Sequence, residues 1–149
     1  MVHELVIIRG IPGAGKSTYA REAYPTHTNF EADTYFIQQD GTYSFDPRQL
    51  PAAHNWCYRQ ALRRLKQGQN VVVSNTFTQP WEVARYIEIA ETLPALNIRV
   101  VTLTSEYDNI HGVPPEKVAI MKSRFYPHEK FMDHVKQMFP LAEISDEVR

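Results

Sequence analysis

Cysteine is nearly absent from this chain: Cys57 is the single one among 149 residues. One thiol closes no internal disulfide, so the fold must rest on its core, and a reducing, cytoplasmic setting is the expectation. The N-terminus also lacks a basic segment followed by an apolar stretch and a small-residue cleavage site, which points the same way. No apolar run approaches the roughly 18 residues of a bilayer crossing, so no membrane partner is expected. Charge of one sign is lacking too: 16 basic against 17 acidic residues leave a net charge of -1. That balance excludes a protein that coats long nucleic acid by counterion release, though not one that grips a strand end. The six histidines show no H-E-x-x-H spacing and no Cys/His cluster, which excludes the usual zinc sites. Glycine is scarce as well, with six in all, yet Gly10, Gly13 and Gly15 fall within six positions.

Organisation along the chain follows from periodicity. Apolar or β-branched runs of strand length occur at 5–8, 29–32, 71–74 and 98–103, continuous as in strands covered on both faces. Amphipathic stretches alternate with them, and there is no repeat or linker, so residues 1–149 read as a single α/β domain. The expected fold is a three-layer sandwich around a mostly parallel sheet of about four or five strands. Helices are predicted at 16–23, at 51–67 with Gly68 as stop, from a cap at Thr78 to about 93, at 114–125, and at 128–138. The core face of the second is predicted as Ala53, Trp56, Cys57, Gln60, Ala61 and Leu65. The polar tail beyond is expected to fray.

The glycines sit in Gly10-Ile11-Pro12-Gly13-Ala14-Gly15-Lys16-Ser17-Thr18, directly after the apolar run Leu5-Val-Ile-Ile8 and before a predicted helix. G-x-x-x-x-G-K-[ST] in that setting is the phosphate-cradling loop: glycines let backbone N–H groups turn onto an anion, and the helix offers its positive dipole end. These nine residues are therefore the candidate ATP site. Lys16 supplies a charge for the β- and γ-phosphates, and the Ser17 hydroxyl is the candidate Mg²⁺ ligand. A chance glycine turn is the plain alternative, and the flanking strand and helix weigh against it.

Further stretches carry a family resemblance. GIPGAGKST, Ala32-Asp-Thr-Tyr-Phe36, Tyr43-Ser-Phe-Asp46, His54-Asn-Trp56, Val73-Ser-Asn-Thr76, Trp81-Glu82 and Asn109-Ile-His-Gly-Val113 occur in this order. Together, over about 5–125, they resemble the P-loop 5′-kinase domains of the phage polynucleotide kinase type, most closely the animal branch. The resemblance implies transfer of the ATP γ-phosphate, with Mg²⁺, to a 5′-hydroxyl of DNA or RNA. It implies Asp33 as the general base, chemistry that needs a carboxylate beside the acceptor oxygen. A helix N-cap is the alternative reading of Asp33. Asn75 stands where relatives carry Asp or Asn that orients acceptor and base, with a buried turn cap as its alternative. Ser74 stands where relatives have Asp, which removes a carboxylate from the third strand.

The largest departure lies in the lid. Thr104-Ser-Glu-Tyr-Asp108 leads straight into Asn109, with no arginine where the family places several. A lid arginine would stabilise charge on the moving phosphoryl group, so His111, Lys117, Lys122 and Arg124 become substitutes to consider, with a solvated basic face as the favoured reading of the last three. For the acceptor, Tyr35, Phe36, Tyr43 and Trp81 are stacking candidates, and Arg59 with Arg63 one turn on are phosphate candidates. Three readings stay open: a polynucleotide 5′-hydroxyl kinase, a kinase for a small acceptor such as a nucleoside or sugar, and a non-catalytic ATP-binding module. The sequence is silent on oligomeric state.

Overall fold

A computed structural model describes residues 3–106 and 113–149. Five parallel strands form one sheet in the order β2-β3-β1-β4-β5: β1 His3–Arg9, β2 Thr28–Phe30, β3 Val71–Asn75, β4 Leu96–Thr102 and β5 Ile144–Val148. Helices α1 Lys16–Ala23, α2 Leu50–Lys66, α3 Ala84–Thr92, α4 Pro115–Arg124 and α5 His128–Met138 connect them. The α/β sandwich with a parallel sheet is thus as expected. The central strands β1 and β3 are buried almost throughout, which is why their sequence reads as continuous apolar runs rather than alternation.

The pleat sorts the core into two layers. Leu5, Ile7, Val71, Val73, Ile98 and Val100 face α2, α3 and α5, while Val6, Ile8, Val72 and Val101 face α1. Helix α2 buries Ala53, Cys57, Ala61 and Leu65, one stripe at helical spacing, and leaves Trp56 and Gln60 half-buried at its margin. Gly68 beyond its end has φ 77, the left-handed conformation that stops a helix.

Two expectations need correction. The tail does not simply fray: Ile144–Val148 pairs in parallel with β4, from Ile98↔Ile144 to Thr102↔Val148. An edge strand with one solvated side has no need of an apolar run, so its polar sequence concealed it. The helix near Thr78 is capped otherwise. Gln79 precedes a 3-10 turn, Pro80–Val83, and the Glu82 carboxylate accepts from Gln79 N–H at 2.9 Å and from the Thr78 hydroxyl at 2.8 Å.

One charge lies wholly in the core. Arg9, the last residue of β1, is 0% exposed. Its guanidinium donates to Phe77 O at 3.0 Å, Thr102 Oγ1 at 3.1 Å and Tyr126 O at 2.7 Å, between the rings of Phe125 and Phe131 at 3.9 and 3.8 Å. Burial lowers its pKa to about 9 against a raising field from Glu82. The residue that precedes the glycine loop is therefore tied to β4, to the segment after β3 and to the α4–α5 junction. This tie fixes the floor on which the loop stands.

Candidate active site

The loop between β1 and α1 is built for close approach. A Cβ on Gly10 would lie 2.9 Å from Ala14 Cβ and 3.3 Å from Leu103 O, so only glycine lets the chain turn there. Gly13 and Gly15 hold φ 88 and 86, the left-handed region open to glycine. Ala14 N–H is spent within the loop on Ile11 O at 3.1 Å, and the first helical bond is Tyr19 N–H to Gly15 O at 2.9 Å. The N–H groups of Lys16, Ser17 and Thr18 precede that bond, so they are the helix-end donors that an anion can take up. Lys16 Nζ folds back to donate to Gly10 O at 2.8 Å and Ile11 O at 3.1 Å. Burial lowers its pKa to about 8, with Glu31 and Asp33 pushing it back up. Of the predicted loop residues, Ala14 is buried, Thr18 is exposed, and Ile11, Pro12, Gly13, Gly15, Lys16 and Ser17 are half-buried at the rim.

The sequence reading passed over Glu31. Ser17 Oγ donates to Glu31 Oε1 at 2.5 Å, so the P-loop hydroxyl already has a carboxylate against it. The signal was there in the pleat. On β2, Thr28 and Phe30 point one way, with Phe30 ring to ring with Trp56 of α2, and Asn29 and then Glu31 point the other way, toward α1.

Asp33 follows two residues later, inside the first turn of the 3-10 segment Ala32–Phe36, whose N-cap position is Glu31. The capping alternative for Asp33 therefore does not hold. Its half-buried carboxylate accepts a long hydrogen bond, 3.4 Å, from the Tyr43 hydroxyl. A small hairpin sets this up: Ile37 bridges Tyr43, and Gly41 turns the chain with φ 87. Partial burial, then the Asp33 charge, push the Tyr43 pKa up to about 12, so the phenol stays a donor. Asp33 also acts electrostatically on Lys16 and on His54. Burial lowers the His54 pKa below its usual value, against the raising charges of Glu82 and Asp33.

Asn75 ends β3 beneath these carboxylates. It is 7% exposed, accepts Ala32 N–H at 2.8 Å and donates to Cys57 Sγ at 3.7 Å. Its amide braces the backbone one residue before Asp33, a positioning task. Ser74 is buried on the opposite face, with its hydroxyl 3.4 Å from Asn29 Oδ1.

Beside Asp33 lies a shelf of rings: Tyr35, Tyr43 and Phe45 are exposed, and Tyr43 and Phe45 lie parallel with centroids 6.4 Å apart. Trp81, in the 3-10 turn after β3, is 70% exposed. Phe36 is a correction: at 3% exposure it is the buried hub against which Tyr35, Tyr43 and Phe45 pack, and it offers no stacking face. Phe45 was missed in its place. Arg59 and Arg63 are exposed on α2, yet Leu65 O meets His3 at the start of β1, so the helix carries Arg63 toward the opposite sheet edge. The lid residues Asp108, Asn109 and His111 lie outside the described residues. Of the substitute cations, Lys122 pairs with Glu106 at 2.6 Å, Arg124 is exposed, and Lys117 stands 5.9 Å from the Phe45 ring centre.

A family model described as an AAA domain matches residues 5–111. The chain belongs to that family. Human NEDD4-binding protein 2 is 31% identical over 138 residues, a match covering 81% of this chain and 8% of that protein. The chain therefore spans a small part of that relative. Among solved structures, a putative kinase from Chloroflexus aurantiacus superposes with TM-score 0.65 at 16% identity, covering 99% of this chain and 89% of the other. The Pnkp1/Rnl/Hen1 complex gives TM-score 0.56 at 20% identity, covering 80% and 38%. These likenesses establish a P-loop kinase-type fold.

Proposed function

We propose that this chain is an ATP-dependent kinase that moves the γ-phosphate of ATP onto a 5′-hydroxyl of DNA or RNA. The observation that carries the reading is the position of Asp33 in the turn after β2, two residues beyond Glu31, which touches Ser17 of the P-loop, with its own carboxylate bonded to Tyr43 of the ring shelf. Base, phosphate cradle and acceptor shelf then meet at one edge of the sheet, where ligands of open α/β folds bind.

In this reading the N–H groups of the loop and Lys16 hold the β- and γ-phosphates. Ser17 is the residue of the motif that would hold Mg²⁺, which when bound neutralises charge on the phosphates. A base of the terminal nucleotide stacks on Tyr43, Phe45 or Trp81, a contact worth roughly 1–3 kcal/mol per base. Asp33 takes the proton of the 5′-hydroxyl as its oxygen bonds to the γ-phosphorus and the bond to the β–γ bridging oxygen breaks, releasing ADP. Asn75 keeps Asp33 in register through Ala32. Lys117, beside Phe45, is the cation best placed among the described lid-side residues to meet the first phosphate of the acceptor.

Two supports come from relatives. A chain of this fold belongs to the Pnkp1/Rnl/Hen1 RNA repair complex, and the ordered motifs resemble polynucleotide 5′-kinases. A second reading, a small hydroxylated acceptor, is favoured by one observation: α2 carries Arg63 toward the opposite sheet edge, away from the loop.

Asp33→Asn tests the assignment, since it keeps size and loses basicity. ATP affinity by calorimetry should stay within about twofold, while γ-phosphate transfer falls by ~10² or more, the usual range for a lost general base. Transfer at the wild-type rate would leave Asp33 a structural group.

A further inference from the structure

Strand β3 ends without an acid. P-loop phosphotransferases hold Mg²⁺ between the loop Ser/Thr and a carboxylate from a neighbouring strand, yet the β3 residues at this edge are Val73, Ser74 and Asn75. Strand β4 ends on Val101 and Thr102, and β1 on Arg9, so none of the three central strands brings a carboxylate to the loop. Ser74 occupies the face turned toward α1, where the acid would be needed, and contacts Asn29 of the adjacent strand. Continuing along that same face of β2, the next side chain is Glu31. It lies against Ser17 Oγ at 2.5 Å.

We propose that Glu31 supplies the carboxylate of the metal site, so that Ser17 and Glu31 hold the Mg²⁺ of MgATP and the acid has moved from β3 to the adjacent β2. The assignment rests on the phosphotransfer reading above. Hydroxyl and carboxylate are hard oxygen donors of the kind Mg²⁺ selects. It also divides labour between two acids two residues apart. Glu31 faces α1 and the loop hydroxyl, whereas Asp33, in the 3-10 turn, faces Tyr43 and the ring shelf. One acid serves the nucleotide's cation and the other serves the acceptor.

The sign of the effect makes this testable without activity. In the absence of metal, the Glu31 carboxylate repels the phosphates of ATP; with Mg²⁺ between them it attracts. ATP affinity is therefore measured by calorimetry with Mg²⁺ and with EDTA, for wild type, Glu31→Gln and Glu31→Asp. The quantity read is the ratio of the two affinities. Glu31→Gln should bind ATP in EDTA as well as wild type or a few-fold better, and its Mg²⁺/EDTA ratio should fall about tenfold or more, a cost typical of disturbed metal sites. Glu31→Asp should lie between. Direct titration with Mn²⁺, read by the spin-resonance signal of free ion in the presence of protein and ADP, should show the same order.

An unchanged ratio in Glu31→Gln overturns the proposal, even if that variant is less stable or binds ATP more weakly under both conditions, because such losses are those of a carboxylate that only anchors Ser17 at the start of α1. A ratio that collapses in Asp33→Asn and not in Glu31→Gln also overturns it. Wild type that binds ATP under neither condition removes the phosphotransfer reading and this assignment together. Wild type that binds ATP, with a ratio indifferent to Glu31, removes only the assignment.

Discussion

At the scale of single residues, Lys16 makes the sharpest pH prediction. Its folded pKa of about 8 lies below the ordinary lysine value of 10.5 because the loop buries it. Between those two values the unfolded chain binds the proton more tightly, so the contribution of Lys16 to stability rises as pH rises from 8 to 10.5. ATP affinity runs the other way: the phosphates need the ammonium, so affinity should be flat below about pH 7 and fall toward tenfold per pH unit above 8. Near pH 9 binding should take up close to one proton, measured by calorimetry in two buffers of different ionisation enthalpy. Lys16→Met should abolish both the uptake and most of the affinity. Equal pH dependence in wild type and Lys16→Met would show that another group titrates.

Residue placements were legible in the sequence in proportion to how local their geometry is. The loop positions, 10–18, stand in a fixed order and need only themselves, a strand and a helix. Glu31 was hidden because its contact with Ser17 depends on the face of a three-residue strand, and Asp33 is the more prominent acid of the motif. Phe36 and Phe45 exchanged places for a similar reason: both are ring residues of one short stretch, and only the hairpin 37–43 decides which one turns inward.

At the scale of elements, strongly patterned segments were readable and quiet ones were not. Helix α2 announces itself by four small or apolar residues on one stripe, and β1 and β3 by uninterrupted apolar runs. Strand β5 shows neither, since it pairs on one side only and its outer residues meet solvent. Arg9 was equally silent, because a charge at the end of a buried strand is legible only once the rings of Phe125 and Phe131 close over it. This residue joins elements, and its removal should show as lost stability. Arg9→Met keeps length but leaves Phe77 O and Tyr126 O without their buried donor, at a cost of about 3 kcal/mol for the two unsatisfied carbonyls. Urea unfolding followed by circular dichroism should show the midpoint falling with an unchanged slope. A variant as stable as wild type would mean the carbonyls find other donors and the tie is dispensable.

At the scale of the whole molecule, the parallel order β2-β3-β1-β4-β5 places the central strand β1 and its loop between β3 and β4, and it brings the ends of β2 and β3 beside the loop. The near-balanced charge fits the proposed partner being met through a small, ring-lined site rather than through a broad basic face. The central claim, that this domain moves a phosphate onto a polynucleotide end, is tested most directly with γ-labelled ATP and Mg²⁺ offered to 5′-hydroxyl DNA, 5′-hydroxyl RNA, 5′-phosphorylated controls, and a panel of nucleosides and sugars. The account predicts label on the 5′-hydroxyl oligonucleotides, none on the 5′-phosphorylated controls, and its loss in Asp33→Asn. Label on a nucleoside or sugar alone, or ATP bound with no label transferred to any acceptor, would contradict it.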